Sequence, residues 1–143
     1  MTMSKIIQSI KDIQELKSKD IHLDLKEYPW ITYDGYQVTC TDGSKYSVVI
    51  CNEQNCCENW GYLASEDDLS NFVGGRLLDV VTTDEALNTK ILKPYSLQTE
   101  ECIFVTFKTD KGDFQLVAYN QHNGYYGHDI IVAMNDKVIK EYR

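Results

Sequence analysis

Three of the five cysteines stand in Cys51-Asn-Glu-Gln-Asn-Cys56-Cys57-Glu-Asn-Trp60-Gly61-Tyr62, and two of the three histidines in His122-Asn123-Gly124-Tyr125-Tyr126-Gly127-His128. Thiolate and imidazole are donors that zinc prefers, commonly four to an ion in a tetrahedron. Cys51 and Cys56 are separated by four residues, Cys51 and Cys57 by five, and His122 and His128 by five. Each pair can therefore span one ion from within a loop. The implied ligand set is Cys51, Cys57 or Cys56, His122 and His128. Both members of Cys56-Cys57 on one ion would be stereochemically poorer. This spacing is not the C-x2-C of a zinc finger. A second reading thus stands beside the first: buried thiols that behave as small hydrophobes, with the histidines decorating a glycine-rich turn.

Catalysis is a third reading. Cys57 would be the nucleophile and His128 its base. That needs a depressed thiol pKa, and the neighbouring Glu53 and Glu58 would raise it instead. The sequence has no glycine-rich phosphate cradle, His-Glu-x-x-His helix or serine elbow. A non-enzymatic protein is expected. Trp60, Tyr125 and Tyr126 could instead line a pocket for a flat ligand, with Asn123 donating hydrogen bonds. The competing reading buries Trp60 at the end of a sheet core.

Both loops need strands to hold them. Lys45–Cys51 reads as a strand leading into the cysteine loop, and Asp113–Tyr119 as one leading towards the histidine loop. Cys102–Lys108 precedes the latter across a Lys111-Gly112 turn. Asp129–Met134 and Val138–Tyr142 flank an Asn135-Asp136 turn. Asp34-Gly35 is read as a hairpin turn between residues 30–33 and 36–40. Ile6, Ile10, Ile13 and Leu16 follow a three- and four-residue spacing, which predicts an amphipathic helix over 4–17. Ser65 and Asp68 form a capping-box pattern that starts a short second helix through about Phe72. Residues 76–83 read as a strand and 84–100 as a loop. The expected fold class is α+β: a curved antiparallel sheet with an N-terminal helix in residues 1–20 and a β-rich body in 21–143, all one domain.

Composition narrows the classes. A chain of 143 residues with 43% hydrophobic and 25% charged residues has the makings of a single soluble domain. No apolar run approaches the ~18 residues of a membrane helix, and the N-terminus lacks a signal-peptide core, so a cytoplasmic protein is expected. An odd cysteine count with two adjacent cysteines argues against a disulfide scaffold. Of the formal charge of −8, residues 52–101 carry −7, with ten acids against Arg76, Lys90 and Lys93. Such a field repels nucleic acid and suits docking on a basic protein surface. Glu66, Asp67, Asp68, Asp84 and Glu85 are the candidate partner-binding residues. The competing reading is a solubilising surface.

The combination Cys56-Cys57-Glu-Asn-Trp60, Gly74-Gly75-x-Leu77 and Asn120-x-His122-Asn123-Gly124-Tyr125-Tyr126-x-His128 resembles a family of small uncharacterised phage and prophage proteins. The likeness spans roughly residues 36–134, and Glu58 stands where that family has a small residue. It implies that the two loops form one site. In size, acidity and an added N-terminal helix the chain is also similar in kind to anti-CRISPR proteins that inhibit type II-A Cas9, at least one of which contains zinc. The function this implies is inhibition of a host CRISPR nuclease by blocking nucleic-acid loading, with a structural zinc ion. The alternative is sequestration of a nucleotide immune signal.

Overall fold

The computed structural model describes residues 5–17, 31–52, 59–83, 85–88, 90, 92–95, 97–121, 129–135 and 137–142. Nine strands run in chain order: β1 (Ile7–Lys17), β2 (Thr32–Cys40), β3 (Lys45–Cys51), β4 (Asn59–Ala64), β5 (Leu77–Thr83), β6 (Cys102–Thr109), β7 (Gly112–Gln121), β8 (Asp129–Met134) and β9 (Lys137–Tyr142). They form two antiparallel sheets, in the orders β1-β2-β3-β8-β9 and β4-β7-β6-β5. Alternating side chains give each sheet one face for the other. Val38, Val48, Ile50, Ile130 and Val132 from the first sheet meet Val105, Phe107, Phe114, Leu116 and Ala118 from the second in one buried cluster. Phe107 and Phe114 stack with ring centroids 4.9 Å apart.

The outer faces are apolar as well. On the second sheet, Leu63, Phe104, Val117 and Tyr119 are covered by Leu92 and Leu97, so residues 84–100 include a packed segment. On the first, Tyr33, Val49, Cys51, Ile131 and Ala133 form a third buried cluster. This explains the near-continuous apolar run of β3, which is buried on both faces. At one corner the sheets are stitched by backbone bonds, Ile7 N–H to Gly75 O (2.9 Å) and Gly74 N–H to Ile7 O (2.8 Å).

The α+β expectation is overturned. Residues 7–17 are an edge strand of the five-stranded sheet and not an amphipathic helix. Register shifts in the β1–β2 ladder lie between Ile7 and Ser9 and between Ile13 and Leu16. The three- and four-residue spacing of Ile6, Ile10, Ile13 and Leu16 is not one face: the register is continuous from Ile10 to Ile13, which sets them on opposite sides, and Ile10 packs against the core between the sheets while Leu16 joins the outer cluster. Glu15, at the second bulge, takes a positive φ of 56°. The second helix shrinks to a 3₁₀ turn at Leu69–Phe72, capped by Asp68 accepting from Ser70 N–H. Ser65 is not its cap: it extends the β4–β7 ladder, its N–H bonding Gln115 O. Nor do Asp34-Gly35 turn the chain, because β2 runs straight through them. A Cβ on Gly35 would lie 2.1 Å from Val48 O. Glycine is there for close approach of β3, not for turning.

Candidate functional site: the stems of two sheet-crossing loops

The cysteine-bearing connection leaves the first sheet at Cys51 and enters the second at Asn59. The histidine-bearing connection leaves the second sheet at Gln121 and enters the first at Asp129. β3 pairs with β8 in a ladder that ends with Ile50 opposite Ile130. β4 pairs with β7, Asn59 opposite Gln121, and the Asn59 amide donates to Gln121 Oε1 at 3.0 Å. Both connections therefore cross between the sheets at the same end, with their four stems adjacent two by two. This is the juxtaposition that spacing alone could only suggest. Cys56, Cys57, His122, His128, Asn123, Tyr125 and Tyr126 lie outside the described residues. Among the described residues no group of three His, Cys, Asp or Glu side chains is gathered as if to hold a metal.

The stem of the cysteine loop is held firmly. Asn52 N–H donates to Thr32 O at 3.1 Å, the Thr32 hydroxyl donates to Asn52 Oδ1 at 2.9 Å, and Asn52 Nδ2 donates to Asp34 Oδ1 at 3.0 Å. The same Asp34 oxygen accepts Glu15 N–H at 2.9 Å, so one carboxylate joins the β1 bulge to the loop. Cys51 is buried and its side chain belongs to the outer-face cluster with Tyr33. Tyr33 pairs with Cys51 on one side. Continuing the β3–β8 register sets Asp129 on the other. Tyr33 is fully buried, and among the described residues its hydroxyl has no hydrogen-bond partner. Burial pushes the Tyr33 phenol far up, and the charges of Asp129 and Cys51 add to the shift.

Trp60 faces the other way, packing with Tyr36 and Tyr62 against the core between the sheets. Tyr62 meets Tyr36 edge to face at 5.2 Å and donates its hydroxyl to Asp12. Burial raises the Tyr62 phenol, and the bond to Asp12 raises it further. A Cβ on Gly61 would lie 2.7 Å from Tyr119 Oη, so the glycine between Trp60 and Tyr62 makes room for that ring.

The chain belongs to a named family. A family model described as Domain of unknown function (DUF7448) matches residues 2–132. No curated protein and no solved structure matches the chain. The match runs through both loops and most of both sheets.

The acidic residues gather elsewhere. Glu66, Asp67 and Asp68 are exposed on the turn after β4, and Glu85 is exposed after β5; Asp84 lies outside the described residues. The Asp68 carboxyl accepts the Ser70 hydroxyl and N–H, which hold it below the usual range. Gln115, buried on the outer face of the second sheet, ties the two segments together. Its Nε2 donates to Glu85 O and to the Thr106 hydroxyl, each at 3.0 Å. Its Oε1 accepts Leu87 N–H at 2.9 Å, and its N–H donates to Ser65 Oγ at 2.8 Å. Asn88 Nδ2 reaches Ser65 O at 3.4 Å. A cleft of about 400 Å³ opens between the Glu66–Asp67 turn and Asn88, with Lys90 on its far wall. Leu87 stands 47% exposed beside it. Gln115, Tyr33 and Asp129 are the residues that sequence reasoning missed. Strand parity was the available signal: Gln115 shares the outer face of its sheet with Val117 and Tyr119, and Asp129 shares that of the other with Ile131 and Ala133. Among the described residues no helix is long and apolar enough to cross a membrane.

Proposed function

We propose that this chain is a non-enzymatic binding protein that docks through its acidic surface on a basic protein partner. The observation that carries the reading is the Gln115 node, which joins the Glu66–Asp68 turn to the Glu85 segment. Exposed acids with an exposed leucine two residues after Glu85 are the kind of surface that orients a partner by charge and then buries apolar area. The partner class is a nucleic-acid-binding channel of a host defence nuclease. The resemblance drawn from the sequence makes a type II-A Cas9 the partner to test, with inhibition by blocking nucleic-acid loading.

The two-loop zinc site belongs to the same proposal as a structural device. Cys51, Cys56 or Cys57, His122 and His128 would hold the ion, and the adjacent stems at one end of the sandwich support it. Closing both crossings with one ion would fix them in the folded chain. The alternative, a pocket for a nucleotide immune signal around Trp60, Asn123, Tyr125 and Tyr126, has less support because Trp60 packs into the core between the sheets.

Reversing Glu66, Asp67 and Asp68 to lysine tests the docking surface in a DNA-cleavage assay. The expected result is at least tenfold weaker inhibition with an unchanged thermal midpoint. Undiminished inhibition would make the acids a solvated surface only.

A further inference from the structure

The stretch that leads into β1 lies along the start of β5. Leu77 N–H donates to Lys5 O at 2.7 Å, and Ile6 bridges Arg76. This fixes Lys5 on the wall of a cleft of about 320 Å³ between β5 and the turn from β8 to β9, with Tyr46 and Lys137 on the same wall. Lys5 Nζ donates to the Tyr46 hydroxyl at 2.9 Å and stands 5.6 Å from the centre of its ring. An ammonium has no lone pair to accept with. The Tyr46 oxygen is therefore the acceptor, and its own O–H is left to donate elsewhere. Tyr46 is only 6% exposed, and among the described residues that O–H has no acceptor. The bond to Tyr46 also holds the Lys5 ammonium protonated above the ordinary lysine range.

Lys137 opens β9 and is exposed. Among the described residues neither ammonium has a carboxylate at ion-pair distance. Asp79 lines the cleft too, but its Oδ1 accepts Val80 N–H at 2.9 Å. In a chain of formal charge −8, two such cations beside one unused phenol donor are a local exception. The remaining wall is apolar: Met134 is half-buried, and Leu78 is 58% exposed. A few polar groups on an apolar wall, in a volume of about 300 Å³ or more, are what small-ligand sites are made of.

We propose that this cleft binds a small oxyanion, phosphate or carboxylate, carried on an apolar group. Lys5 and Lys137 supply the charge, the Tyr46 O–H donates to an anion oxygen, and Leu78 and Met134 receive the apolar group. Charge-assisted bonds of this kind are the strong ones. The site shares no residue with the two loops or the acidic surface, and its failure would leave the docking proposal untouched.

The full-length chain, labelled with nitrogen-15, is titrated with hexyl phosphate, hexanoate, inorganic phosphate and hexylammonium, and its amide shifts are followed. Saturable shifts are expected at Leu78, Val80, Met134 and Asn135 with hexyl phosphate or hexanoate, weaker ones with inorganic phosphate, and none with hexylammonium. The tighter of the two amphiphilic anions names the head group. Tyr46→Phe should lower the affinity about tenfold, the usual size of a lost hydrogen bond to a charged group. Lys137→Gln, an exposed change that leaves the packing intact, should lower it roughly threefold. No saturable shift with either amphiphilic anion at millimolar concentration, an equal response to hexylammonium, or undiminished affinity in either variant would overturn the proposal.

Discussion

Gly35 shows how one residue can mislead and then explain. Asp-Gly is a strong turn signal, yet here the pair lies mid-strand because β3 passes so close that a Cβ would meet Val48 O at 2.1 Å and Val49 Cα at 2.7 Å. Both obstacles are backbone and cannot rotate away. Gly35→Ala should therefore destabilise the chain by about 3 kcal/mol or more, beyond ordinary overpacking, read by urea unfolding. A cost below about 1 kcal/mol would mean that β2 and β3 can separate there. Tyr33 and Tyr62 make a second claim at this scale. Both phenols titrate above the ordinary tyrosine range in the folded chain, chiefly because of burial. Their stabilisation is complete below the unfolded pKa and is lost as pH rises past it. Stability should thus fall above about pH 10, by up to about 1.4 kcal/mol per pH unit for each such group. Tyr33→Phe should flatten that slope in alkaline melts; an identical slope would contradict the burial argument.

Among the elements, the strands next to the two loops were the most legible. Lys45–Cys51, the 102–121 hairpin and the 129–142 hairpin are read from alternation and turn residues, and the ladders bear them out. Those segments are rich in β-branched and aromatic residues and bounded by turn residues, so sequence and structure agree. β1 was illegible because its two bulges reset the period, and pairing with β2 outweighs local helix preference. The packed 92–97 segment was illegible for a different reason: nothing in its own pattern shows that Leu92 and Leu97 cover a second apolar face of the sheet. Gln115 is the polar counterpart of that packing. Gln115→Leu keeps the volume but leaves Leu87 N–H without its acceptor and leaves Glu85 O with the Thr83 hydroxyl alone. The expected cost is about 2–4 kcal/mol in urea unfolding, with faster proteolysis in residues 83–90. Unchanged protection of that segment would show that Leu92 and Leu97 hold it without the amide.

At the scale of the whole molecule, two sheets with three apolar layers leave the chemistry at the periphery. One end carries the two crossings and their thiol, phenol and carboxylate row. The outer side of the second sheet carries the acids. Cysteines, histidines and acids cluster visibly along the chain, and the strands carry the described ends of both loops to one end of the sandwich. The sequence could not reveal that Asp34 links the β1 bulge to Asn52, or that Gln115 joins two acidic segments distant in sequence, because both depend on register. The proposal that the acids dock on a basic channel makes one demand on the intact protein. Attraction between a chain of formal charge −8 and a cationic groove must weaken as salt rises. The most direct measurement is binding of the wild-type chain to an immobilised type II-A Cas9 without guide RNA, at low and at physiological ionic strength. The account predicts a one-to-one complex whose association rate falls at least tenfold with salt and which guide RNA prevents. No complex at either ionic strength, or one indifferent to both salt and guide RNA, would contradict it.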